Sequence, residues 1–196
     1  MKIFIRKNPN YSLCGLNCCL CPRYNTEGSS KCPGCGGENF NSQHPTCAVI
    51  SCSKKHNNIE YCFECKEYPC KKYENDSSVD SFISYKDVNK NFSEAQNDLH
   101  KYLNHLNLRY EYLQILLKDY NDGRSKGFYC LCANLFPLDE LKIIMLNIGK
   151  LFKDTTVERK EKITIIREVF EKRAKELNIE IKLRKWKNRL TKASTL

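Results

Sequence analysis

The chain has 196 residues, 41% of them apolar, with 33 Lys and Arg against 23 Asp and Glu. That length suits one ordinary domain or two small ones. No apolar run approaches the ~20 residues needed to cross a bilayer, and the opening MKIFIRKNPN lacks the apolar stretch of a secretory signal. The expectation is a cytoplasmic protein with no membrane attachment.

Eleven of the 13 cysteines fall between Cys14 and Cys70. In a reducing compartment, thiols this dense point to metal ligation rather than to a disulfide framework. Bound metal also tempers the formal charge of +10. Eight ligating thiolates around two divalent ions would bring the protein to about +6, still basic.

Composition shifts near residue 76. Residues 1–76 hold five of the six prolines but only 11 Leu, Ile, Val and Phe. Segments below ~70–80 residues rarely stabilise themselves by more than ~3–5 kcal/mol from a core. Metal is expected to staple this half. The expected organisation is a cysteine-rich zinc-binding domain over 1–76 and a helical bundle with a basic tail over 77–196. The expected fold class is mainly α with an α+β element.

The cysteine motifs come first in the chain. Cys14-x3-Cys18-Cys19-x-Cys21 offers three spaced thiols, with Cys19 between them read as a packed or free thiol. The same spacing occurs in radical-SAM enzymes, but their strands and helices alternate, and residues 80–178 show helical periodicity only. Cys32-Pro-Gly-Cys35-Gly-Gly is the strongest signal. Two thiolates two residues apart can wrap one ion, and the glycines permit the positive φ of such a turn. His44 stands three residues before Cys47, a spacing suited to a mixed site, and Cys52 follows. His56 lies in a polar stretch and reads as solvated. Cys62-x2-Cys65 is a second knuckle, followed by Cys70. The expected metal ligands are Cys14, Cys18, Cys21, Cys32, Cys35, His44, Cys47, Cys52, Cys62, Cys65 and Cys70.

Asn75 to Val79 reads as a linker. Ser93-x-x-Gln96 resembles a capping box. Leu99, Leu103, Leu106, Tyr110, Leu113, Leu117 and Tyr120 recur at spacings of four and three, which predicts one long amphipathic helix. Asn121 to Gly123 ends it. Phe128, Leu131, Cys132, Leu135 and Phe136 form a second stripe, with Cys132 in the core and Cys130 off the stripe. Pro137 breaks that helix and opens a third, carrying Leu141, Met145, Ile148 and Phe152. Thr155-x-x-Glu158 predicts the start of a fourth, with Ile163, Ile166, Phe170, Ala174 and Leu177 inward and Asn178 as its cap. Ile179, Ile181 and Leu183 alternate as in a short strand or extended tail.

In these motifs the chain resembles the family known as domain of unknown function 3795. That family opens with Cys-Gly-Leu-x-Cys-x-x-Cys, matched by Cys14 to Cys21. It continues with Cys-x-Gly-Cys, matched by Cys32 to Cys35, and Cys-x4-Cys, matched by Cys47 and Cys52. It closes with Cys-x-x-Cys-x-x-[Tyr/Phe]-Pro-Cys, matched by Cys62 to Cys70. The match spans residues 11–73, and Cys19 is an addition. The resemblance implies metal binding, taken as zinc, and no reaction. It also implies ligation at His44, where relatives often carry cysteine. Residues 124–140 look like a stretch of some longer members.

The expected cofactor is Zn2+, two or three ions, with a 4Fe-4S cluster as the alternative. The leading reading is a structural zinc module serving protein or nucleic-acid interaction. An iron–sulfur protein in electron transfer is the alternative, with Cys21-Pro22 in its favour. A zinc hydrolase or deaminase needs an open metal position and a general base. The sequence offers no acid/base constellation, and His100 and His105 sit on a polar helix, so catalysis is disfavoured. Lys182, Arg184, Lys185, Lys187, Arg189 and Lys192 surround Trp186 with no acid between them. Such a tail can neutralise phosphates and stack a base, although charge runs are usually just solvated.

Overall fold

The computed structural model describes residues 5–74, 79–153 and 156–185. Residues 5–74 run mostly as loop, punctuated by single 3-10 turns at Cys18–Leu20, Gly28–Ser30 and Cys62–Glu64. Three short helices interrupt it: α1 (Phe40–Gln43), α2 (Ala48–Lys55) and α3 (Lys71–Glu74). Five longer helices follow: α4 (Val88–Asn97), α5 (Leu99–Asp119), α6 (Lys126–Leu135), α7 (Leu138–Leu151) and α8 (Arg159–Glu176). No strand occurs among the described residues. The fold is mainly α, and the α+β expectation is corrected. Residues 179–183, read as a short strand or an extended tail, run on from α8 as irregular chain.

Helix ends follow local chemistry, with two corrections. Ser93 and Gln96 lie inside α4. The long helix instead begins after Asp98, whose side chain accepts from the Lys101 N–H at 2.9 Å. An Asp cap satisfies one of the orphan donors of the first turn. The N-cap of α8 is Glu158 rather than Thr155, and Thr155 lies outside the described residues. Pro137 does separate α6 from α7. Asn178 takes φ 54° at the end of α8. Its N–H reaches the Lys175 carbonyl at 3.2 Å, and Ile179 N–H reaches Ala174 at 2.8 Å. These two bonds make a Schellman end, with Asn in the left-handed position usually held by glycine.

Leu106, Leu113 and Leu116 on α5, Cys132 and Phe136 by α6, Leu141 and Ile148 on α7, and Ile166 and Phe170 on α8 share one buried core. Arg173 on α8 clamps Glu140 on α7 through two bonds of 2.8 Å. Asp80 ties the chain beyond α8 back to the start of the helical region. It accepts from Arg184 N–H at 2.7 Å and pairs with the Arg184 guanidinium at 2.9 Å.

The same core extends into the cysteine-rich segment. Tyr11, Cys19, Leu20 and Tyr61 belong to it, beside Phe92 and Ala95 of α4 and Tyr102 of α5. Tyr11 lies 4.8 Å from Tyr102 and 5.3 Å from Tyr61, measured between ring centroids. Phe92 receives Phe63 and Tyr68 edge-on at 5.5 and 5.4 Å. A count of Leu, Ile, Val and Phe misses this core, because tyrosine supplies much of it. Polar links reinforce the junction: Asn91 Nδ2 donates to the Gly15 carbonyl, and Gln114 Nε2 donates to Asn25 Oδ1.

Replacing Phe92 by Ala should destabilise the protein by about 3–5 kcal/mol. Hydrogen exchange should then show Cys18–Leu20 and α5 losing protection together, since both lean on the same rings.

Candidate metal centre

The knuckle Cys32-Pro33-Gly34-Cys35-Gly36-Gly37 is built as its glycines require. Gly34 has φ +84°, and a Cβ there would sit 2.4 Å from the Pro9 carbonyl oxygen. That oxygen accepts from the Cys35 N–H at 2.9 Å. Gly36 has φ +64°, and a Cβ there would meet Arg6 Cγ at 2.9 Å. The loop closes on the chain before Tyr11 only because both positions lack side chains.

Cys35 is buried with Leu13, Phe40 and Ile50, and Cys18, Cys47 and Cys62 pack against that small cluster. Cys14 stands beside it, its sulfur 3.1 Å from Ser12 Oγ. Burial pushes the Cys14 thiol up to about 11, and the charge of Cys35 adds to the shift. Burial also raises Cys18 well above the ordinary thiol range, with Cys35, Cys14 and Cys21 adding to the shift. Cys35 is raised by burial, against the pull of Arg6. Three thiols from two stretches of chain, Cys14, Cys18 and Cys35, are therefore held neutral, with Cys47 close enough to add to the shifts of Cys14 and Cys35.

Counter-charge and N–H donors are already present. Arg6 is a buried cation, donating to the Tyr11 and Cys35 carbonyls at 2.9 and 3.3 Å. It pairs with Glu60 at 3.2 Å. Its Nε is buried without a hydrogen-bond partner among the described residues. Backbone N–H groups of Leu16, Leu13 and Arg23 favour the ionised sulfurs of Cys14, Cys35 and Cys21 respectively. Such donors support metal thiolates.

A second group surrounds a hollow of about 20 Å³ lined by Cys52, His56, Cys62, Cys65, Glu67 and Cys70. Cys65 Sγ lies 3.7 Å from His56 Nδ1, and His56 Nε2 lies 4.0 Å from Glu67. Cys47 and Cys52 separate between the two groups because five helical residues turn a side chain about 140° away. Within the knuckle, Cys35 lies with the first group, and Cys32 bears on Cys21.

His44 is exposed, its ring stacked on Phe40 at 4.4 Å and its Nδ1 2.7 Å from the Pro45 carbonyl oxygen. His56, read from sequence as solvated, lies among thiols instead. The signal was its position four residues after Cys52 along α2, which puts both on one face. Cys19 is buried in the main core, as is Cys132. Cys130, off the α6 stripe, is buried as well; its pKa is raised by burial, with the Cys21 charge adding to the shift. Of the basic tail, Trp186, Lys187, Arg189 and Lys192 lie outside the described residues. Lys182 pairs with Glu180, and Arg184 pairs with Asp80.

The thiols and the N–H groups that favour their ionised form fit a thiophilic divalent ion in type. Among the described residues, no three Cys, His, Asp or Glu side chains close into a set that could hold a metal ion. The ligand types fit, and the ligand spacing is open.

Residues 10–75 match the model of a family described as Protein of unknown function (DUF3795). The resemblance carried by the cysteine motifs holds over that span. No curated protein and no solved structure matches the chain. No described helix is long and apolar enough to cross a membrane.

Two outcomes follow from this geometry. Gly34→Ala should cost about 1–3 kcal/mol through backbone strain, measured by chemical denaturation. Burial also raises Cys130 from 9.0 to about 12 in the fold. A raised pKa contributes stability that is complete below the unfolded value and is lost as pH climbs through the folded one. Metal-free protein should lose stability between those values, and Cys130→Ala should flatten that fall by up to about 1.4 kcal/mol per pH unit.

Proposed function

We propose that the cysteine-rich segment is a structural zinc-binding module that fixes a surface for a macromolecular partner. The observation that carries this reading is the gathering of Cys18, Cys35 and Cys47 around Leu13, Phe40 and Ile50, with Cys14 beside them. Buried neutral thiols that oppose each other's ionisation are stabilised as thiolates by a divalent cation. Cys14, Cys18, Cys35 and Cys47 would hold one ion. Cys52, Cys62, Cys65 and Cys70 would hold a second, with His56 beside them as a further donor.

A bound ion would neutralise thiolate charge and cross-link stretches of chain far apart in sequence. Arg6 holds compensating positive charge at the first group. Thiolate-rich sites of this kind are closed and structural, with no position left for substrate. The reading is therefore a binding module rather than an enzyme, and the partner is a protein or a nucleic acid.

Metal analysis of anaerobically purified protein should return at least two zinc ions per chain and a colourless solution. Cys35→Ser and Cys65→Ser should each remove one ion and leave the other. Zinc affinity should weaken as pH falls, because the ligating thiols must give up protons. Calorimetry in two buffers of different ionisation enthalpy measures that release. Brown protein with stoichiometric iron and sulfide would replace zinc by the cluster reading, and protein without metal would end both.

A further inference from the structure

Away from the thiols, α4, α5 and the α6–α7 junction line an open cavity of about 420 Å³. Its size falls in the ~300–1,000 Å³ range of small-molecule sites. One buried network underlies it. Tyr102 hydroxyl donates to Asn17 Oδ1 at 2.7 Å, and Asn17 Nδ2 donates to Asn134 Oδ1 at 3.1 Å.

Arg109 lines the cavity in a fixed pose. Its Nη1 donates to the Ala133 and Phe136 carbonyls at 2.8 and 2.7 Å. Its Nε and Nη2 take no partner among the described residues. Burial weakens its hold on the proton, while Tyr102, Glu94, Asp87 and Asp139 act the other way. None of those carboxylates comes within 4.0 Å to form an ion pair with it. Asp139 pairs with Lys142 at 3.0 Å, and Lys90 approaches Glu94 at 3.9 Å. Among the described residues, no cation pairs with the Asp87 carboxylate. Helix α7 begins at this wall behind Pro137, with no side chain capping its first N–H groups.

A guanidinium with two open donors thus lines the cavity together with Asp87, at the N-cap of α4, and Glu94, on α4. A molecule carrying both charges completes this arrangement. The lining carries Lys90, Lys101 and Lys142 as well as Asp87, Glu94, Asp98 and Asp139, so groups of both signs face a ligand. We propose that the cavity binds a small zwitterion of the α-amino acid class, its carboxylate on the Arg109 fork and its ammonium toward Asp87 and Glu94. Two parallel N–H donors suit a carboxylate better than one point charge does.

The test is calorimetric titration of the full-length protein with each of the common free amino acids, up to about 10 mM. At least one should bind. Its deaminated acid and its carboxamide should each bind about 10-fold or more weakly, since each removes one charged contact. Arg109→Lys should weaken binding by a similar factor, because lysine keeps the charge and loses the fork. That change also removes two bonds to α6, so a thermal melt must accompany it. Asp87→Asn touches no structural bond, and should weaken the amino acid while leaving the deaminated acid unchanged or tighter. Absence of binding by every amino acid would overturn the proposal. So would equal binding of the deaminated acid, which marks a plain anion site, or indifference to both substitutions.

Discussion

Tyr11 is fully buried, and its ring touches Tyr61 on one side and Tyr102 and Phe92 on the other. This aromatic contact joins a loop-rich segment to a helical scaffold. Aromatic side chains bury large area, and their edge-on packing adds further stabilisation. The segment has little regular structure with which to hold its thiols in place. Its turns are positioned because Tyr11, Leu20 and Tyr61 are anchored in a core that α4, α5 and α6 already define. Helix α6 is accordingly buried on two sides, with Cys132 toward the bundle and Cys130 toward the thiol loops.

The thiol groups inherit their arrangement from that anchoring. The knuckle at Gly34 must fold over Pro9, and Gly36 must fold over Arg6, before Cys35 can meet Leu13 and Phe40. A buried arginine then lies behind a cluster of acidic-capable sulfurs. Burial without counter-charge would favour neutral thiols, and burial beside a fixed cation lowers the barrier to ionising them. A fixed cation therefore lies behind the thiols, while their sulfurs remain spread.

The polar cavity arises from the same docking. Asn17 belongs to the first thiol loop, yet it bonds Tyr102 of α5 and Asn134 of α6. Without the loop in place, Tyr102 would lose its acceptor and the cavity its base. The two candidate sites are thus distinct in chemistry but share one structural support.

Local patterns in the sequence determined much of this protein. Apolar spacing located α5, α6, α7 and α8, because a helix repeats every 3.6 residues whatever surrounds it. Pro137 and Asn178 marked helix ends through their own backbone preferences. The glycines of the Cys32 knuckle announced positive φ at Gly34 and Gly36. Tertiary structure alone decided which thiols lie near one another. Cys47 parts from Cys52, because neighbours are set by chain crossings dozens of residues apart. It also decided that His56 joins the thiols while His44 stays exposed, that Cys130 is buried off its stripe, and that residues 179–183 form no strand. Arg6 and Arg109 carry no sequence signal at all. Their roles come from carbonyls and carboxylates brought to them by distant segments, and such convergence has no period for a sequence to display.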